Sequence, residues 1–396
     1  MGQGPLAGIK VLDLTSVVVG PSCTLLLAQQ GAEVIKLEPP EGDLLRKLGG
    51  KSRTPGMAPK FLHFNRGKHS ICVDLKSAGG CDVVRRLAAG VDVFVSNIRG
   101  KALARLGLAY GDLHPANPGL VYCAIAGFGS GGRYRDKPAY DTIVQGMSGM
   151  ADAMGRVFGA PRYMPFVIAD HMTGFLAAQA ICAALVGRAS TGRGQAIEVP
   201  MFENMASFVL REHMAQRSFG PDGAIGDSRM FDPNGRPAKT ADGYICVSPN
   251  TDAQARGFFA AAGRPDLADD PRFASVAARV ANTDAYFAIR AELLARHSTS
   301  DWLALLDAAE VPAMPVNRIE DLFHDPHLAD VGLIETQLHH SEGEVLALRP
   351  ASRFSDGLPA MRDAPRQGED GPAILRDLGY CESEIAILLQ SAVLTP

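Results

Sequence analysis

The sequence predicts an α/β protein: a doubly wound, mostly parallel sheet followed by a second, smaller domain. Three observations predict it. Strand–helix–strand alternation repeats through the first third of the chain. A Gly-, Pro- and Asp-rich stretch, residues 217–240, breaks the pattern. The length, 396 residues, suits two domains better than one.

The elements follow in order. Ile9–Leu14 (IKVLDL) is a short apolar strand, and after a break at Gly20-Pro21 the segment 23–30 reads as helix. Ala32–Glu38 is a second strand, so the opening is a βαβ unit. Ser70–Asp74, the helix Gly80–Ala89 and Val91–Ser96 repeat it. A short helix at 103–106 precedes the strand Leu120–Ala126, which ends in GFGSGG. Asp170–Arg188 is the longest clear helix, with Asp170 placed as its N-cap and a stop signal at Thr191–Gly194. A strand at 195–200 and a helix at 201–216 follow. Beyond the 217–240 linker come a strand at 244–248 and helices at 252–262, 284–296 and 300–309. Strand patterns return after Val331, and an amphipathic helix, Glu382–Leu389, lies near the end. The predicted domains are therefore 1–216, a linker or active-site loop at 217–240, and 241–330.

Composition excludes several functions. Lys plus Arg total 39 against 43 Asp plus Glu, a net charge of −4, so no broad positive field exists to hold nucleic acid or an anionic membrane. Apolar residues make up 46%, enough for a sizeable core rather than disorder. The seven cysteines are odd in number and lack CxxC spacing, which argues against a disulfide framework or structural zinc and for a cytoplasmic setting. The first residues show no signal-peptide pattern, and the apolar run 175–186 is too short to span a bilayer.

The common cofactor motifs are absent: no GxGxxG follows a strand, and neither GxxxxGK[ST] nor GxSxG occurs. His324-x-x-His327 and His339-His340 read as surface or cap residues, so no metal is expected. Asp170 is the leading candidate for chemistry. A carboxylate at a helix N-terminus is favoured in its ionised form and can attack an activated acyl group. The plain alternative is an ordinary helix cap.

Many strings along the chain resemble the class III CoA-transferases, a family that includes formyl-CoA and crotonobetainyl-CoA transferases and the α-methylacyl-CoA racemases. They include PLAGIKVLDLTSVVVGPSCTLLLAQQGAEVIKLEPPEGD at 5–43, FNRGKHSICVDLKSAGG at 64–80 and NIRGKALARLGL at 97–108. AYDTIVQGMSGM at 139–150, IADHMTG, TGRGQAIEVPMFEN and DWLALLDAAEVPAMPV continue the match in order.

The resemblance implies a Rossmann-like large domain built from both chain ends (1–216 completed by 331–396), an inserted α+β domain, and an interlocked homodimer. It implies an acyl-CoA:carboxylate CoA-transferase with coenzyme A as part of its substrate. Asp170 falls on the family's nucleophile, which passes through an aspartyl anhydride and an aspartyl-CoA thioester. Val17, Val18, Val73, Lys76, Asn97, Arg105, Lys137 and Tyr140 match positions lining the CoA channel. The valines could equally be core, Lys76 and Arg105 surface charge, and Asn97 a cap.

The sequence also departs from the family. Phe231–Arg236 replaces the transferase glycine loop, Val18 stands where a glutamine is usual, and Pro39 stands where an arginine is. Tyr140 replaces the racemase histidine, which favours transfer over epimerisation because a phenol near pKa ~10 is a poor base. An epimerase and a non-catalytic CoA-binding paralogue remain the alternatives. Arg211, Arg217 and Arg236, near the linker, are candidates to hold an acceptor's second carboxylate.

Overall fold

The computed structural model describes residues 2–395. They form two compact units: residues up to 148, 163–207 and 331 onward make the first, and residues 149–162 with 208–330 the second. Among the described residues there are twelve strands: β1 Lys10–Leu14, β2 Glu33–Glu38, β3 Lys68–Val73, β4 Val93–Ser96, β5 Val121–Ala126, β6 Gln195–Pro200, β7 Ala238–Lys239, β8 Tyr244–Val247, β9 Ala313–Pro315, β10 Ile334–His339, β11 Gly343–Leu348 and β12 Leu394–Thr395.

The first unit is an α/β fold around a seven-stranded sheet in the order β12-β3-β2-β1-β4-β5-β6. Six strands are parallel; β12 adds an antiparallel edge by pairing Leu394 with Val73. Strand order reverses between β1 and β4, which leaves a crevice at their carboxyl ends, the usual ligand site of such sheets. The inner strands carry apolar residues on both faces, because helices cover both sides. Val11, Leu12, Val34, Val93, Phe94 and Val95 are essentially inaccessible.

Two helix boundaries differ from expectation. The first helix spans Val19–Gln29, so Gly20-Pro21 lies inside its first turn. Proline is tolerated there because the first helical N–H groups need no intrahelical acceptor. The longest helix spans Ile168–Thr191 with Val167 as N-cap, so Asp170 is its third residue rather than its cap. At 24 residues that helix is long and apolar enough to cross a membrane by length and composition, which the run 175–186 alone does not suggest. One side of it packs against helix 19–29, while Phe175 and Val186 stay exposed. Gly174 makes that approach possible: a Cβ there would sit 2.5 Å from the Val19 carbonyl oxygen and 2.9 Å from the Ser22 Cβ.

Helices at Pro59–Asn65, Asp141–Met147 and Met150–Phe158 were not expected. They are short, and Gly149, at φ 88, turns the chain between the last two.

The second unit packs the antiparallel sheet β7-β8-β9 against helices Asp252–Ala261, Thr283–Leu294 and Thr299–Ala308. Phe258, Phe259, Leu293, Leu294 and Trp302 form its core, and the Trp302 indole N–H donates to the Leu294 carbonyl at 2.8 Å. This unit also contains residues 149–162 and 208–240, which the sequence alone assigns to the first domain and a linker. Packing explains the difference: the Arg156 guanidinium lies 5.3 Å from the Phe231 ring, which stacks on His213 at 4.5 Å.

Candidate active site

Asp170 is the most distinctive titratable group of the first unit. It is 8% exposed, and burial followed by the negative charge of Asp141 raises its pKa to about 7. This corrects the expectation of a helix-end carboxylate held firmly ionised: desolvation and a second carboxylate outweigh the helix dipole.

Asp141 does the work of a cap from another helix. Its Oδ1 accepts the backbone N–H groups of Ala169 at 2.7 Å and Asp170 at 3.2 Å. These are second- and third-position donors with no partner within their own helix. Gln145, one turn beyond Asp141, completes the latch. Its Nε2 donates to Asp141 Oδ2 at 2.6 Å and to the Phe166 carbonyl at 3.0 Å, and its Oε1 accepts the Met164 N–H at 2.8 Å. Asp141 and Gln145 are both buried. Sequence reasoning missed both; the signal present was two polar side chains at i and i+4 on one helical face.

The first βα turn lies at the same helix contact. Val17 adopts φ 66, a left-handed conformation strained for a β-branched residue. Two side chains hold it. Asp43 Oδ1 accepts the Val17 N–H at 3.0 Å. Asn97 accepts the Ser16 N–H at 3.1 Å and donates to the Ser16 carbonyl at 3.0 Å. The Asn97 amide is thus spent on the turn.

Beneath the turn sits a buried ion network. Lys36 bridges to Asp43 at 2.8 Å and donates to the Thr15 carbonyl at 2.9 Å. Lys68 contacts Asp13 at 3.3 Å and Asn65 at 2.9 Å. Burial would raise Asp13, but Lys68 and Lys36 with the Thr15 and Thr24 hydroxyls hold it below its usual value. Burial lowers Lys68 to about 8, with Asp13 opposing. The sequence signal was a charge inside each of several apolar strands: Asp13 in IKVLDL, Lys36 and Glu38 in AEVIKLE.

The remaining expected residues divide. Val18 is buried with Leu45, Met57 and Phe61, and Val73 lies in the main core, so neither offers its side chain to a ligand. Tyr140 is 70% exposed. Lys76, Arg105 and Lys137 are exposed; Lys76 meets Glu41 at 3.4 Å, and Lys137 sits 4.9 Å from the Tyr134 ring. Arg211, Arg217 and Arg236 are exposed residues of the second unit.

Two other features are ruled by their partners. Two of the GFGSGG amides are occupied by carboxylates: Gly129 donates to Glu203 at 2.8 Å and Ser130 to Glu198 at 2.9 Å. His339, His340 and Asp363 lie close enough to suggest a cation site. However, His339 Nδ1 accepts the Ser341 and Glu342 N–H groups and its Nε2 faces the Ala364 carbonyl, so neither nitrogen is free. His171 packs against Phe64 at 5.5 Å and Phe175 at 6.0 Å.

A mostly parallel sheet, a strained first turn at its switch point and a buried helix-end carboxyl make up the candidate site of this α/β protein. The chain belongs to CoA-transferase family III, whose model matches residues 6–371. It is 35% identical over 390 residues to the succinate–glutarate CoA-transferase of Agrobacterium fabrum, covering 96% of each chain. It is 31% identical to the succinyl-CoA:glutarate CoA-transferase of Homo sapiens, covering 98% of this chain and 90% of that one. A CaiB/BaiF family structure from Brucella suis superposes with a TM-score of 0.78 at 34% identity, covering 96% of this chain and all of the other.

Proposed function

We propose that this enzyme moves CoA from an acyl thioester to a carboxylic acid through covalent intermediates on Asp170. The Asp170 carboxylate attacks the thioester carbonyl, the C–S bond breaks, and an acyl-aspartyl anhydride and CoA thiolate result. The thiolate attacks the aspartyl carbonyl, releasing the donor acid and leaving an aspartyl-CoA thioester. The acceptor carboxylate displaces CoA to form a second anhydride. CoA then attacks the acceptor's acyl carbon, giving its CoA ester and restoring Asp170. Bond energy stays in activated acyl groups throughout, and protons balance at zero.

The observation that carries this reading is the buried Asp170 carboxyl, latched by Asp141 at a helix start. Close packing of that helix against the first βα turn supports it. Val17, Val18, Val73, Lys76, Asn97, Arg105, Lys137 and Tyr140 are proposed to line the CoA channel, the cations serving the phosphates. Asn97, Val18 and Val73 act through main chain or through the turn they hold. Arg236 and Arg211 are proposed for the acceptor's second carboxylate, in keeping with relatives named for succinate and glutarate.

We further propose the Rossmann-like large domain completed by 331–396, the inserted smaller domain, an interlocked homodimer and a cytoplasmic setting. Exposed apolar side chains on helix 168–191, Phe175 at 47% and Val186 at 72%, suit burial against a second copy.

One observation favours a second reading. A carboxyl near pH 7 also suits proton transfer, as an α-methylacyl-CoA epimerase requires. Hydroxylamine trapping after mixing with an acyl-CoA panel separates the two. An Asp170 hydroxamate found by mass spectrometry supports transfer. Deuterium at the substrate α-carbon with Asp170 unmodified overturns it.

A further inference from the structure

The stretch Lys36–Arg46 (KLEPPEGDLLR) folds into a buried clamp. Lys36, Glu38, Asp43 and Arg46 are each 4% exposed or less, two cations against two carboxylates. Arg46 meets Glu38 twice, Nε to Oε2 at 2.7 Å and Nη2 to Oε1 at 2.6 Å. Its guanidinium carbon lies 3.6 Å from the Phe61 ring centre, and it also donates to the Pro365 carbonyl at 3.3 Å. Glu38 Oε2 accepts the Asp43 N–H at 3.0 Å. Lys36 meets Asp43 Oδ2 at 2.8 Å. Asp43 is thus fixed through both its main chain and its side chain.

Such a clamp is a poor way to gain stability. Buried ion pairs repay their desolvation only in part, and apolar residues of similar volume often serve as well. What the clamp does fix is Asp43 Oδ1. That oxygen accepts two main-chain N–H groups, Leu45 at 2.9 Å nearby in sequence and Val17 at 3.0 Å across the fold. Among the described residues, Val17 is the one β-branched residue with a left-handed backbone; the other non-glycine cases are Ala215, Glu310 and Ala392. A β-branched residue keeps that conformation only where its surroundings over-determine it, and strain of this kind concentrates at working sites.

The strained turn borders the start of helix 168–191. Val17 and Val167, the cap residue of that helix, pack against one cluster with Val18, Leu45, Met57 and Phe61. Further along the same helix, Gly174 lies against the Val19 carbonyl and Ser22. Asp170 falls between these two contacts. A displaced turn would therefore disturb the helix on both sides of Asp170, because packed interiors transmit strain.

We propose that Asp43 is a positioning residue for CoA transfer, holding Val17 left-handed and so keeping the first βα turn in register with Asp170. Lys36, Glu38 and Arg46 serve by fixing Asp43. The link to transfer rests on the reading of Asp170 given above; the clamp on Val17 does not.

The test compares three chains in a Lys36→Met background, so that no variant leaves that lysine buried without its partner. Lys36→Met/Asp43→Asn lacks the ion pair but keeps an oxygen to accept the Val17 N–H. Lys36→Met/Asp43→Ala lacks the acceptor as well. The third chain adds Val17→Gly to the alanine chain, since glycine takes a positive φ without steric cost. Thioester-exchange kinetics should give the alanine chain a kcat about tenfold or more below the asparagine chain, with a smaller change in KM. Adding Val17→Gly should recover most of that loss, which a residue that merely braces the fold would not show. Equal kcat in the asparagine and alanine chains, or a loss that Val17→Gly leaves in place, would overturn the positioning role. Should the alanine chain not fold, recovery of folding by Val17→Gly supports the clamp and continued failure overturns it. Crystal structures read the clamp without activity: Val17 should keep φ 66 in the asparagine chain and leave it in the alanine chain, and an unchanged φ in both would overturn the clamp. Hydroxylamine trapping in the parent reports on Asp170 alone. An unmodified Asp170 with Val17 released in the alanine chain would leave the clamp standing and the aspartyl mechanism lost.

Discussion

Two groups of buried charge in the first unit follow opposite rules. Under the first βα turn, Asp13 and Asp43 face Lys36 and Lys68, acids and bases in equal number. The balance holds Asp13 ionised despite full burial. At the start of helix 168–191, Asp141 faces Asp170 with no cation between them, and the result is a carboxyl near pH 7. The lesson concerns charge balance rather than burial. Compensated ions keep their ordinary charge, whereas an uncompensated one carries a perturbed pKa.

The largest expected effect breaks the uncompensated side. Asp170→Asn should reduce CoA transfer about a thousandfold or more, as measured by thioester exchange, with the circular dichroism spectrum unchanged. The same variant should be more stable than the parent, and the sign follows from linkage. Because folding raises the Asp170 pKa from 3.8 to about 7, the parent is not penalised below pH 4 and is progressively destabilised as pH rises through 7. Thermal melts should therefore show the variant ahead by roughly 1–3 kcal/mol at pH 8 and level at pH 4. An advantage that grew toward acid would contradict the pair.

Breaking the compensated side should cost folding. Lys68→Met leaves Asp13 buried beside fewer cations, and urea unfolding should show a loss of about 3–5 kcal/mol.

Asp141→Asn sharpens the comparison. It keeps the Oδ1 acceptor for Ala169 and Asp170, removes the charge, and replaces the Oδ2 acceptor that Gln145 Nε2 now donates to. Transfer rate should rise with pH through about 7 in the parent, because the proposed nucleophile, Asp170, must be ionised. The variant's midpoint should lie lower, with desolvation alone remaining. An unmoved midpoint would mean that Asp141 only positions the helix. Gln145→Leu should cost about 1–3 kcal/mol of stability by orphaning the Asp141, Phe166 and Met164 groups it now satisfies. The smallest effect is expected at Lys76, whose pairing with Glu41 is open to solvent. Lys76→Ala should leave the melting curve unchanged while weakening CoA binding if that residue serves a phosphate.

Much of the fold was legible. The alternation of apolar runs and helical segments carried β1 to β5, because strands covered on both faces must be apolar along their length. The short helices 141–147 and 150–158 were not, since each is only two turns long and set by packing and the Gly149 turn. Asp170 was legible as a residue; its environment was not. Its placement as a cap failed because the true cap is a side chain 29 positions away, a separation that no local pattern reports. Expected contacts at Val18 and Val73 could not be told from core by type, since apolar side chains suit both.

The sequence by itself determined the strand pattern, the family likeness and the candidate nucleophile, because periodicity and local motifs are written in neighbouring residues. Only the tertiary structure decided which buried charges are matched and which are not. That balance depends on side chains brought together across the sheet and between helices, and it sets whether a buried carboxyl is held ionised, as Asp13 is, or raised toward neutrality, as Asp170 is.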